Sequence, residues 1–165
     1  MRLELTRRGD YAVRAMIALA APDGPPLRSV PRIAERMGIP PRFLPQVMRD
    51  LVAAGLVASE TGRTGGYRLA RDAGTINLLQ VVEAAEGDTR RLTCVLRGGP
   101  CGRDGYCAVH ATFAGVQEAV REQLGEVTLA EVAGVFASFP PGDPRLPATW
   151  DEGSAASTEP PATER

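Results

Sequence analysis

Lysine is absent from this chain: all 19 basic side chains are arginine. A genome that favours arginine codons explains the missing lysine, but not where the arginines fall. Cysteine occurs three times and histidine once. Three cysteines cannot all pair within one chain, which disfavours a disulfide framework. They suit a cytoplasmic setting, where thiols stay reduced. No apolar run approaches the roughly 20 residues needed to cross a bilayer, so a membrane partner is not expected. The opening "MRLELTRRGDYAVRAMIALAAPDG" sets basic residues before an apolar stretch, as a signal peptide does. Asp10 and Arg14 interrupt that stretch, and its apolar residues recur at helical spacing, which identifies an amphipathic helix instead. No nucleophile–base pair and no phosphate-binding glycine loop is present, so an enzyme is not expected.

The net charge of −1 conceals an uneven distribution. Residues 1–71 hold 12 arginines and 6 acids, a balance of +6, whereas residues 72–165 carry −7. A basic amino-terminal half suits a polyanion.

Helical periodicity predicts a first helix over Thr6 to Ala21. Ser29 is a candidate cap for a short helix running to about Arg36. Met37-Gly38-Ile39 forms a tight turn, and a further helix spans about Pro41 to Ala54, ended by Gly55. "LVASE" and "GGYRLA" read as two short strands joined by the loop "TGRTG". Asn77 and Gln80 form a capping box for "NLLQVVEAAEG". A longer helix begins near Ala108, with Val109, Phe113, Val116, Val120 and Leu124 on one stripe. Thr128 and Glu131 cap a short last helix. From about Pro140 the chain is rich in proline, serine and acids, the composition of a disordered tail.

Helix, glycine turn, helix and hairpin is the order of a winged helix-turn-helix. Ile33, Met37, Ile39, Leu44 and Val47 are apolar where two crossed helices share a core, and Ala34 is small where they approach. Arg42, Gln46 and Arg49 then fall on the outer side of the second helix. Arginine can grip guanine O6 and N7, and glutamine can pair with adenine N6 and N7. Arg63 sits at the tip of the wing, where a lone arginine on a thin loop suits a narrow minor groove. Pro45 would cost about 3 kcal/mol inside a helix. It is tolerable only in the first turn. Against the double-stranded DNA reading stands a plain packing unit with solvated arginines, or a winged helix that binds protein.

All three cysteines and the histidine lie in "TCVLRGGPCGRDGYCAVH", residues 93–110. The spacing is C-x6-C-x5-C, with His110 three residues after Cys107. If Cys107 opens the following helix, His110 shares its face one turn on. Three soft thiolates suit zinc or an iron–sulfur cluster, with His110 or a carboxylate as fourth ligand. Zinc remains an alternative, since three cysteines and a histidine make a sound tetrahedral set. The order is also that of the zinc fingers of some RNA-binding proteins, but both outer gaps differ and the array is not repeated. A redox switch of bare thiols is a third reading, and buried structural cysteines a fourth.

"LTRRGDYAVRAMIALA", "IAERMGIPPRFLPQVMRDLVAAGLVASETGRTGGYRLA", "INLLQVVEAAEG" and the cysteine triad together resemble the Rrf-two family of bacterial transcriptional regulators. The match runs from Met1 to Ser138, and wing and triad together make it specific. The resemblance implies a mainly α fold with a small β-hairpin wing and a homodimer built on the long helix. It also implies a two-fold DNA operator, and an iron–sulfur cluster on Cys94, Cys101 and Cys107 whose state controls DNA affinity. In IscR-like members a histidine three residues after the last cysteine is the fourth ligand, and His110 matches it. In some NsrR-like members an aspartate on the first helix of the other subunit serves, and Asp10 resembles that position. His110 is preferred, because it is local and imidazole suits a thiolate-rich iron site. Asp10 is the alternative ligand, against which stands an ion pair with its arginine neighbours or plain solvation. The first gap of six residues is longer than in IscR, so 2Fe-2S and 4Fe-4S both stay open. The expected organisation is a DNA-binding domain over 1–87, a cluster-binding loop over 88–107, a dimerisation helix and short last helix over 108–138, and a tail over 139–165.

Overall fold

A computed structural model describes residues 4–22, 25, 27–62, 65–89 and 109–139. Thr6 stops the extended entry and caps α1 (Arg7–Ala20), its side chain accepting from the Gly9 N–H. A second acceptor comes from far along the chain: the Thr6 N–H donates to Glu86 Oε1 at 2.7 Å. The apolar face of α1 is buried through Tyr11, Ala12, Ala15, Met16 and Ala18.

α2 (Val30–Met37) starts at Ser29, but the Ser29 side chain makes no capping bond. Pro31 in the first turn fixes the backbone there instead, because its missing N–H is one a helix start leaves unused. α2 ends at Gly38, which adopts φ 62° and ψ 32°. This left-handed geometry disfavours a side chain and favours glycine. The second helix of the pair, α3 (Leu44–Ala53), begins later than its pattern suggested, with residues 41–43 in turns. The later start places Pro45 in the first turn, so the proline costs no intrahelical bond.

β1 (Val57–Glu60) and β2 (Gly66–Leu69) pair antiparallel, with Val57 opposite Leu69 and Glu60 opposite Gly66. A third segment joins them. Arg28 and Tyr67 exchange both backbone hydrogen bonds at 2.9 Å, so the chain before α2 lines the edge of the wing. Gly66 makes that approach possible, since a Cβ there would meet the Arg28 carbonyl oxygen at 2.8 Å.

A single 3-10 turn (Ala73–Thr75), capped by Asp72, precedes α4 (Leu78–Glu86). The Asn77–Gln80 capping box is formed as expected, as is the Thr128–Glu131 box that opens α6 (Leu129–Ala137). Between them lies α5 (His110–Glu126). α1 is the hub, touching α2, α3, α4, α6 and β2. Met16, Ile33, Leu44, Met48, Leu51, Leu56, Ile76, Val81 and Leu129 are fully buried around it. α5 packs on α4 and buries none of its own residues. Val116 is 42% exposed, and Phe113, Val120 and Leu124 are only partly covered. No helix among the described residues is long and apolar enough to cross a membrane.

Among the described residues two arginines are buried. Arg14 Nε donates to Asp10 Oδ1 at 3.0 Å, and its Nη1 donates to the Met37 carbonyl at 3.2 Å. One guanidinium therefore ties α1 to the end of α2 and holds the turn of the helix pair. Arg28 Nη2 donates to the Ala21 carbonyl at 2.8 Å, satisfying the end of α1.

Candidate nucleic-acid interface and cysteine segment

Two crossed helices expose one face of the second only if the first covers the other. Ile33, Ala34 and Met37 of α2, Ile39 of the turn, and Leu44, Val47, Met48 and Leu51 of α3 are all buried. Arg42, Gln46 and Arg49 are exposed, the first two at the amino-terminal end of α3 and Arg49 about one turn further on. This is the end that reaches base edges in helix-turn-helix proteins.

These side chains are held in place. Arg42 lies over the Phe43 ring, 4.8 Å from its centroid, and Phe43 leans on Tyr11 of α1 at 5.8 Å. Gln46 Nε2 donates to Asp50 Oδ1 at 2.9 Å, and Gln46 Oε1 accepts from Arg49 Nη2. Asp50 Oδ2 in turn accepts from Arg8 Nε at 2.9 Å. Asp50 and Phe43 were not read as site residues in the sequence. The Gln46–Asp50 pair was legible, being four residues apart on one helix face. The Arg8–Asp50 pair was not, because 42 positions separate its members. Arg63, the fourth expected DNA contact, lies outside the described residues; its loop spans Thr61 to Gly65, between β1 and β2.

Substitutions on this face have measurable consequences. Replacing Arg42 or Gln46 with alanine should change which bases are preferred, by about 1–3 kcal/mol for each lost bidentate contact. Arg63→Ala should instead weaken binding to all sequences and lower the salt slope by about one unit. Binding curves over a salt series would check both; three variants identical to the parent would refute this docking face.

Cys94, Cys101 and Cys107 lie outside the described residues, between Thr89 and Val109. What is described is how that segment leaves and returns. Glu83 of α4 accepts from Thr89 Oγ1 and from Arg121 Nη1 of α5, both at 2.7 Å, and Arg121 also contacts Thr89 Oγ1. Burial by itself would raise the Glu83 carboxyl, but the bonds from Thr89 and Arg121 outweigh it and leave the group below its ordinary value. The linkage contributes stability above the usual carboxylate range and loses it only as pH falls through the lowered value.

His110 is the first residue of α5 and is partly buried. α5 begins at His110 with Val109 as its cap, two residues later than Ala108, and Cys107, expected one turn before His110, lies outside the described residues. Asp10 sits on α1, in an ion pair with Arg14 one turn on. Among the described residues, no three His, Cys, Asp or Glu side chains converge as a metal site.

Residues 5–134 match the family model Rrf2, described as an iron-dependent transcriptional regulator. The chain is 38% identical over 133 residues to the HTH-type transcriptional regulator IscR of Xenorhabdus nematophila, covering 79% of each protein. It is similarly 38% identical to IscR of Klebsiella pneumoniae, again over 79% of both. Among solved structures, T. potens IscR superposes with a TM-score of 0.65 at 30% identity, covering 85% of this chain and 94% of that one. CymR, the global cysteine regulator of B. subtilis, superposes with a TM-score of 0.64 at 27% identity, covering 81% and 98%.

Proposed function

This chain belongs to the Rrf2 (Rrf-two) family of transcriptional regulators, and we propose that it is a cytoplasmic homodimer that reads a two-fold DNA site under the control of an iron–sulfur cluster. It is a winged-helix regulator and not an enzyme. The observation that carries the finer reading is a conjunction. An exposed face of Arg42, in the turn before α3, and Gln46 and Arg49, on it, stands at the helix pair, and all three cysteines fall in the one segment that joins α4 to α5.

Cys94, Cys101 and Cys107 would hold the cluster, with His110 as the fourth ligand. The donor set fits, since three thiolates and an imidazole match the soft ligands that iron–sulfur centres take. When bound, the cluster supplies a centre that responds to oxidants, nitric oxide or iron supply. The remaining steps belong to the protein. A change within residues 88–107 is felt at both ends: at Thr89, bonded to α4, and at α5, whose apolar stripe would meet its partner copy. Because two half-sites must be engaged together, a small change in the spacing of two α3 helices alters affinity strongly.

The test is purification without oxygen. The expected protein is brown, contains iron and sulfide, and loses its visible absorption when any of Cys94, Cys101 or Cys107 becomes alanine. Zinc without sulfide would replace this reading with a structural zinc site on an interaction module. A second reading has support from the relatives: a Staphylococcus aureus CymR structure is of an oxidised form, with 27% identity and a TM-score of 0.63. Metal-free protein whose DNA affinity follows reversible thiol oxidation would establish that bare-thiol switch.

The fourth ligand can be separated as well. His110→Ala should alter the cluster spectrum and shorten its life in air, while Asp10→Asn should do so less. Asparagine keeps an acceptor for Arg14, so the comparison is not confounded by the loss of that bond. The reverse order of effects would assign the ligand to Asp10, reaching across the dimer.

A further inference from the structure

Asp50 is the acidic side chain that the reading face carries on α3 itself, and it faces a polyanion if that reading is right. It bridges two elements. Its Oδ2 is 2.5 Å from Arg8 Nη2 of α1, and its Oδ1 accepts from Gln46 Nε2. Its side chain is only 15% exposed, whereas Arg8 is 49% exposed. Arg8 gains nothing from its own helix. It lies in the first turn of α1, where the helix dipole disfavours a cation. Its location beside α3 is therefore matched by Asp50 rather than by local preference.

We propose that Asp50 is a specificity-determining positioning residue, resting on the DNA-docking reading of α3. Sequence-independent affinity comes from cations that neutralise phosphates. Asp50 removes one of these by occupying Arg8. Sequence-dependent affinity comes from side chains held ready at base edges. Asp50 orients Gln46, and does so without exhausting it: an amide nitrogen has two hydrogens and its oxygen two lone pairs. Asp50 uses one hydrogen and Arg49 uses one lone pair, leaving one of each for a base. The same carboxylate thus lowers binding to any DNA and supports binding to the right DNA. Specificity, being a difference of two affinities, rises on both counts.

The experiment uses the full-length protein purified without oxygen and two probes. One is a mixed-sequence duplex; the other is the tightest duplex recovered from a randomised pool with the wild type. Asp50→Ala should bind the mixed duplex more tightly, with a salt slope steeper by about one unit. Its preference for the selected duplex should fall about tenfold, with relaxed choice at the Gln46 base. Asp50→Asn should steepen the slope yet keep the base choice, because its oxygen still accepts from Gln46. Adding Arg8→Ala to Asp50→Ala should return the slope to the wild-type value. A wild type that selects a duplex while Asp50→Ala leaves both slope and preference unchanged would overturn this assignment alone. A wild type that binds neither duplex would overturn the docking reading with it.

Discussion

Val116→Asp should convert a dimer into a monomer and reduce affinity for a two-fold operator by on the order of 10²–10⁴-fold, the range in which bivalent binding exceeds single engagement. The motive is the state of α5. None of its residues is buried, yet it carries Phe113, Val116, Val120 and Leu124 at helical spacing, in line with Val109 at its cap. An apolar stripe of this kind marks an interface. Val116 is 42% exposed in the single chain, so an aspartate there disturbs no core of its own. Loss of the dimer would then be separable from unfolding: circular dichroism should stay unchanged while sedimentation shows the mass halved. A wild type that sediments as a monomer at micromolar concentration would rule out this use of α5.

Arg14→Ala should destabilise the fold by roughly 2–3 kcal/mol, somewhat below the 3–5 kcal/mol lost when a fully buried ion pair is broken. The discount reflects Asp10, whose side chain keeps 21% of its exposure, against 8% for Arg14. The substitution removes the guanidinium from Asp10 and leaves the Met37 carbonyl without that donor. For a domain of this size the midpoint of thermal unfolding should fall by roughly 4–12 °C. Arg14→Lys should restore only part of the loss, because a point charge cannot reproduce the fork that reaches both acceptors. Denaturation within about 0.5 kcal/mol of the wild type would show that the tie contributes little. The effect on DNA should follow stability, since Arg14 holds the turn that sets α3 against α2.

Local signals decided much of the architecture. Gly38 required the left-handed turn, the Asn77–Gln80 and Thr128–Glu131 boxes set two helix starts, and the glycine-bearing loop "TGRTG" between two short strands marked the hairpin. Arg42, Gln46 and Arg49 were legible as an outer face because the buried positions of α3 repeat every three or four residues. Each of these rests on interactions spanning a few residues, which a sequence displays directly. The cysteine triad was likewise visible as a cluster of donor types.

Other features depend on contacts between distant positions. The start of α3 at Leu44 was misplaced because turn and helix compete over residues 41–43, and propensity alone does not settle that competition. Ser29 was expected to cap and does not. The Arg28–Tyr67 edge, the Glu86 bond to Thr6, and the Arg8–Asp50–Gln46 chain join positions 39, 80, 42 and 4 residues apart. Only the last of these carries a helical period. Sequence by itself determined the element order, the exposed face of Arg42, Gln46 and Arg49, and the family, because local periodicity and motif spacing encode them. Tertiary structure alone decided that Arg14 also reaches the Met37 carbonyl, that Asp50 takes Arg8 of α1, and that α5 leaves its stripe uncovered, because partner choice and burial are set by which helices meet in space.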